Sequence, residues 1–319
     1  MLKKISENSS HLVPAFLFTL LAAPGYVSAV TSKECAGVFA SGKFEQAIET
    51  CARALEAEKS LEAFFYRATA KMNLGNLNGA LEDYSEGLKI EPNDRNSLFN
   101  RATIYLNLGR AQESLADFNL LLNLNPNDVE AYQNRGNLKF NMGQTEEALA
   151  DYRKAIEIKP GFADGHVNLG NMLTQLGKFD EAIASYDKAI EHSPSSPQAH
   201  YNRANAYMKL GKNDQAESDF TKAIERNPAY SRAYANRGLL RMNKEDYPSA
   251  LQDFSKAIEI NGSDFMAFNN RGLVNLRLGK FDDAAKDFEQ GLAVNPPPQI
   301  AATLKANLEM ARSSAAQKR

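Results

Sequence analysis

ADGHVNLGNMLTQLGKFDEAIASYDKAIEHSPSS, residues 163–196, is legible as two short helices joined by a tight turn. His166, Gly170, Leu173 and Leu176 fall at helical spacing, as do Ala182, Ile183, Tyr186, Ala189 and Ile190. Gly177 separates the two runs where a helix stop belongs. Pro194 closes the second.

The pattern returns in both directions at a step of 34 residues. One column holds Gly75, Gly109, Gly143, Gly177, Gly211 and Gly279. A second holds Ala80, Ser114, Ala148, Ala182, Ala216, Ala250 and Ala284, and a third Pro92, Pro126, Pro160, Pro194, Pro228 and Pro296. A fixed period of this length marks a stacked-repeat architecture, in which each unit buries its apolar face only against its neighbours. The units are 61–94, 95–128, 129–162, 163–196, 197–230, 231–264 and 265–298. A shorter and weaker one, 30–60, precedes them, its Gly42, Ala47 and Leu55 matching Gly75, Ala80 and Leu88. Asp94, Asp128, Ser196 and Asp264 stand where they can cap the next helix. Residues 299–319, with Leu304, Leu308 and Ala311, provide a capping helix and a tail. Glu245 replaces the turn glycine, so unit 231–264 is expected to turn differently. Gly262 replaces its terminal proline, which makes that junction the expected point of greatest flexibility.

With positions numbered from 1 at residues 61, 95, 129, 163, 197, 231 and 265, columns can be matched across the hairpin. Position 8 is small (Ala68, Ala102, Gly136, Gly170, Ala204, Gly238, Gly272). Position 24 is aromatic (Tyr84, Phe118, Tyr152, Tyr186, Phe220, Phe254, Phe288). A ring on one helix needs a small residue opposite, and an antiparallel hairpin places these two columns face to face. Position 7 reads Arg67, Arg101, Arg135, Arg203, Arg237 and Arg271. Position 23 reads Asp83, Asp117, Asp151, Asp219, Asp253 and Asp287. The one full unit without the arginine has Leu169, and it also has Ser185 in place of the aspartate. The joint exception predicts an Arg–Asp bridge inside each of six hairpins, serving register more than net stability.

Asn168, Gly170, Leu176, Gly177, Ala182, Tyr186, Ala189, Ile190 and Pro194 together resemble the tetratricopeptide repeat, and these signature positions recur in register through the seven units with few exceptions. The resemblance covers about residues 30–298. It implies an all-α, right-handed superhelical solenoid of antiparallel helix-turn-helix repeats whose first helices line a concave groove. Position 6 of that groove is Asn100, Asn134, Asn168, Asn202, Asn236 and Asn270, and position 9 adds Asn137, Asn171 and Asn205. An asparagine offers donors and an acceptor suited to the main chain of an extended peptide. The same residues can instead satisfy the neighbouring helix. Phe99, Phe140, Tyr201, Met208 and Met242 add adaptable apolar area or packing. Family members that clamp a terminal carboxylate resemble a Lys/Asn/Arg cluster, and no lysine stands at position 5 here.

The chain has 319 residues, 43% apolar and 24% charged, with net charge −2. Those are globular proportions, and without a basic stripe nucleic acid is not expected as a partner. Residues 1–29 read as a signal peptide: Lys3 and Lys4, an apolar Leu12–Ala23 core, Pro24-Gly25, then Val27-Ser28-Ala29 at the cleavage positions. The uncharged run Leu12–Val30 keeps an uncleaved membrane anchor open as the alternative. Either places the repeats in a periplasmic or secreted compartment, beyond a membrane. Cys35 and Cys51 match positions 8 and 24 and are either a disulfide or two buried thiols.

No catalytic constellation escapes the repeat pattern. His166 and His200 sit in a packing slot, and no metal or cofactor site is expected. The sequence thus points to a non-catalytic scaffold that binds a protein or extended peptide and helps assemble exported or envelope proteins, with no small-molecule substrate. An anchored envelope-complex scaffold and an accessory substrate-binding subunit of an enzyme are the alternatives.

Overall fold

The computed structural model describes residues 30–318, and among them are seventeen α-helices and no strand. The leader expected over residues 1–29 lies outside the described residues. No described helix is long and apolar enough to cross a membrane. The chain divides into two compact units, one up to Ser97 and one from Leu98.

In the first unit, α1 (Ser32–Ala40) pairs with α2 (Phe44–Ala57), and α3 (Leu61–Asn73) with α4 (Leu77–Ile90); α2 also packs on α3. α5 (Arg95–Asn107) begins just before the division. It is tied to α6 (Ala111–Leu124) by Ser114 Oγ donating to Ala102 O at 2.8 Å. Five further hairpins follow: α7 (Val129–Asn141) with α8 (Thr145–Ile158), α9 (Ala163–Gln175) with α10 (Phe179–His192), α11 (Pro197–Lys209) with α12 (Asn213–Arg226), α13 (Ser231–Asn243) with α14 (Tyr247–Ile260), and α15 (Phe265–Arg277) with α16 (Phe281–Ala293). From α6 onward, the second helix of each hairpin packs on the first helix of the next, and α16 packs on α17 (Pro298–Lys318).

The hairpins are closed by ring against hydrogen. A Cβ added at Gly170 would stand 2.5 Å from the Tyr186 ring, and one at Gly272 would stand 2.6 Å from Phe288. The column-24 rings Phe118, Phe220, Phe254 and Phe288 are wholly buried. Truncating one of them to alanine costs about 3–5 kcal/mol. Asp94, Asp128, Ser196 and Asp264 accept from the N–H groups of Ser97, Ala131, Ala199 and Ala267 at 2.7–3.3 Å, so the expected caps start the following helices. At the far end, Leu304, Leu308 and Ala311 of α17 bury the face of Phe288 that no further hairpin covers.

The turn of unit 231–264 corrects the sequence expectation. Glu245 adopts φ 62°, within a few degrees of the turn glycines, whose φ runs from 68° to 78°. Its N–H donates to Met242 O at 3.0 Å, and that of Asp246 to Arg241 O at 2.9 Å. Gly177 and Lys178 make the equivalent bonds to Thr174 and Leu173. The hairpin therefore imposes its left-handed turn on a residue with a Cβ. Left-handed backbone costs an L-residue about 1–2 kcal/mol, and glycine's extra freedom when unfolded returns about 0.4–1 kcal/mol of that. Glu245→Gly is expected to stabilise the chain by about 0.5–1 kcal/mol, measured as a higher urea midpoint at unchanged slope. The Gly262 junction closes as residues 125–128 do: Asp264 N–H donates to Asn261 O at 3.1 Å, and Asp128 N–H to Asn125 O at 3.2 Å.

Candidate functional site

Every Arg–Asp pair anticipated from columns 7 and 23 is brought together. Nη2 donates to the aspartate at 2.6–2.8 Å, and Nε reaches a carboxylate oxygen at 2.6–3.0 Å, in the pairs Arg67–Asp83, Arg101–Asp117, Arg135–Asp151, Arg203–Asp219, Arg237–Asp253 and Arg271–Asp287. This is the fork-on-carboxylate geometry that only arginine supplies. All six aspartates are buried. Burial pushes the Asp219 carboxyl up, and the Arg203 bonds pull it further down, leaving it below its ordinary value. Burial likewise works against the Arg203 charge, but Asp219 and Asp187 raise its pKa overall.

Two more columns belong to this clasp. At position 11, Lys71, Lys139, Arg241 and Asn275 give the aspartates of their own hairpins a further donor at 2.7–3.1 Å. At position 25 the clasp crosses to the preceding repeat. Arg135 Nη1 donates to Asn119 at 2.7 Å, Arg203 to Asp187 at 2.5 Å, Arg237 to Thr221 at 3.0 Å and Arg271 to Ser255 at 3.1 Å. After the last hairpin, Arg312 of α17 meets Glu289 in the same column at 2.7 Å. In the exceptional unit all of these change together. Leu169 and Leu173 join an apolar core with Met172 and Tyr186, and Ser185 turns back to Glu181 O. Position 25 of the repeat before it is Arg153, which would repel an arginine at 169.

The asparagine columns divide. Asn202 Nδ2 donates to Asn171 Oδ1 at 2.7 Å, and Asn236 Nδ2 to Asn205 Oδ1 at 2.9 Å, so position 6 of one repeat grips position 9 of the one before. Asn171 also accepts from Tyr186 Oη at 2.9 Å, and Asn137 accepts from Tyr152 Oη. Asn134 folds back onto Glu130 O at 2.9 Å, and Asn270 accepts from Asn269 at 3.4 Å. Asn100 is half-buried on α5. The bonds gathered on Asn171 and Asn205 hold neighbouring first helices together. Asn168 is different: half-buried on α9, its amide is engaged by no described residue. The amide nitrogens of Asn137, Asn171 and Asn205 also donate to no described residue and are not sealed from solvent. Beside them, Tyr201 packs against Tyr230 with centroids 4.8 Å apart and the rings tilted by 34°. Tyr230 donates to Gln198 at 2.8 Å, and burial pushes its phenol up to about 12. Open amides, a tyrosine shelf and Met208 on adjoining first helices suit a backbone with intermittent apolar side chains.

His166 Nε2 donates to Pro160 O (2.9 Å) and its ring stacks on His192, and His200 Nδ1 lies 3.5 Å from Asp219, beyond a well-formed hydrogen bond. Among the described residues no three metal-ligating side chains stand together. Cys35 and Cys51 form a disulfide, Cα–Cα 4.8 Å, inside the first hairpin.

Models of the tetratricopeptide repeat match residues 129–162, 151–184, 197–230, 231–264 and 265–298, and related models match 65–129 and 170–211, also as tetratricopeptide or TPR repeats. The chain belongs to the tetratricopeptide-repeat family. No curated protein matches the sequence. Among solved structures, a tetratricopeptide repeat protein from Parabacteroides merdae is 23% identical with a TM-score of 0.57, over 79% of this chain and 98% of that one. Yeast Tom70 is 19% identical with a TM-score of 0.59, over 88% of this chain and 60% of its own. These likenesses concern the fold.

Proposed function

We propose that this chain is an exported, non-catalytic scaffold that holds an extended polypeptide segment across α7, α9, α11 and α13. The observation that carries the reading is Asn168, a half-buried amide spent on nothing in the fold, flanked by the open amide nitrogens of Asn137 and Asn171. Half-buried donors and acceptors left unused by their own chain are costly unless water or a ligand meets them. Peptide main chain offers that complement at every residue. The tyrosine shelf and Met208 add side-chain contacts that tolerate varied sequences. Membership of a family of repeat proteins, the leader-like residues 1–29 and the cysteine pair support an interaction role outside the reducing cytosol.

The test is crosslinking and capture from the native compartment with the full chain and with an Asn168→Ala, Tyr201→Ala variant. Partner recovery is expected to fall about tenfold, as when an interface loses a central contact. Undiminished recovery would move the site off this face. Mass spectrometry of the mature chain addresses export: a start near residue 30 supports cleavage, and an intact Met1 favours the anchored scaffold.

A further inference from the structure

The first compact unit breaks the asparagine pattern in a way that changes the chemistry of its face. At position 6, where six later repeats carry asparagine, stands Tyr66, beside Phe65 at position 5. At position 31, where the later repeats have Asn125, Lys159, Ser193, Asn227, Asn261 and Asn295, stands Glu91. Between the first turns of α3 and the segment 91–96 lies a cleft of about 360 Å³, walled by Phe65 and Tyr66 and rimmed by Glu62, Glu91, Asp94 and Asn96. The rings are held in place: Tyr66 lies 5.4 Å from Phe39 and 5.6 Å from Phe65, and Phe65 meets Tyr84 edge-on at 5.8 Å. Asp94 spends one oxygen on the Ser97 N–H at 2.7 Å. The Glu62 and Glu91 carboxylates engage no described residue. No lysine or arginine is among the residues that line the cleft, and Arg95, between Asp94 and Asn96 in sequence, reaches only the rim amide of Asn96 at 3.5 Å among these residues.

We propose that this cleft receives a lysine or arginine side chain of a polypeptide partner, a reading that rests on the polypeptide-binding role proposed above and names a chemical requirement of that partner. Two aromatic faces attract a cation through their quadrupoles. Three carboxylates around them add a local negative potential that favours an ammonium or guanidinium over any neutral side chain. The aliphatic stem of such a residue would lie against the rings while its charged head reaches Glu62 and Glu91.

The probes are two fluorescein-labelled peptides of about a dozen Ser, Ala, Gly and Asn residues, one with a central Arg-Arg and the other with citrulline at both places, a neutral isostere. Anisotropy titrations of the full chain at low salt are expected to give about tenfold tighter binding of the arginine probe. Raising the ionic strength to about 0.5 M should shrink that preference, because the rim carboxylates are exposed. Glu62→Gln with Glu91→Gln should remove most of it while the helical signal is unchanged, and Tyr66→Asn, which restores the residue of the later repeats, should reduce it too. Equal affinity for both probes, no binding of the arginine probe at about 1 mM, or a preference untouched by the double variant would overturn the proposal. Equal binding that is lost in Asn168→Ala would sink the cation cleft and leave the groove. An arginine preference in a chain whose native partner capture ignores Asn168 would do the reverse.

Discussion

Asp219→Ser is expected to cost about 3–5 kcal/mol of unfolding free energy, and adding Arg203→Leu is expected to restore a large part of it. Asp219 is 3% exposed, and both its oxygens are held by one guanidinium. Removing the carboxylate leaves that guanidinium half-sheltered, with Asp187 as its remaining charged partner. Removing both charges leaves a leucine and a serine, the pair that residues 169 and 185 show to be compatible with the hairpin. Urea unfolding of the wild type, the two single variants and the double variant gives the coupling directly. Additive losses would mean that the two residues do not act as a pair. The pH dependence adds a second readout. The folded Asp219 carboxyl sits below its ordinary value. Its contribution is therefore fully present above the unfolded pKa of about 4 and is lost as the pH falls through the folded value. The gap between wild type and Asp219→Ser should narrow below about pH 4.

How far the sequence could be read follows from what a single column can encode. The hairpins were legible because Gly170 and Tyr186, or Arg203 and Asp219, occupy columns whose spacing fixes which residues face each other. The inter-repeat half of the clasp was hidden for a physical reason. The arginine Nη1 donates to any oxygen acceptor at position 25, so Asn119, Asp187, Thr221 and Ser255 do the same work without resembling one another. Only Arg153, the wrong charge, standing before Leu169, betrays the contact. The asparagine face was legible as a location and not as a partition. Whether Asn171 holds Asn202 or a ligand depends on rotamers, and Asn168 differs from Asn202 and Asn236 of its own column in what it fails to touch. A weaker signal was available in column 24: Tyr84, Tyr152 and Tyr186 each bond the polar residue at position 9 of their own hairpin, whereas Phe254 and Phe288 share theirs with Leu239 and Leu273, although Phe118 and Phe220 stand with the polar Thr103 and Asn205 and blunt the pattern. The turn at Glu245 was misread because a local preference for glycine was weighed without the packing of α13 on α14, which fixes the backbone whichever residue occupies it.

Reducing the Cys35–Cys51 disulfide is expected to cost the first hairpin about 3 kcal/mol, the chain-entropy value for a closed loop of about fifteen residues. The bridge spans a separation of 16 residues. That hairpin has little else. Its α1 is only 9 residues long, too short to persist without tertiary support. The two cysteines also stand in the slots that hold a small residue and a buried ring in the later repeats, so the hairpin lacks the aromatic burial that closes its neighbours. Hydrogen exchange on the reduced protein, or on a Cys35→Ala, Cys51→Ala variant, should show protection lost over residues 31–57 and retained beyond α7. Retained protection of α1 and α2 in the reduced protein would show that packing, and not the covalent link, closes the hairpin. Thiol titration of the unfolded, unreduced chain separates the chemistry from the packing: no reactive thiol is expected from protein made in an oxidising compartment, and two from protein kept in a reducing cytosol. Because the bridge stabilises the hairpin that adjoins the Tyr66 cleft through the α2–α3 packing, the oxidised form is also expected to bind the arginine probe more tightly than the reduced one.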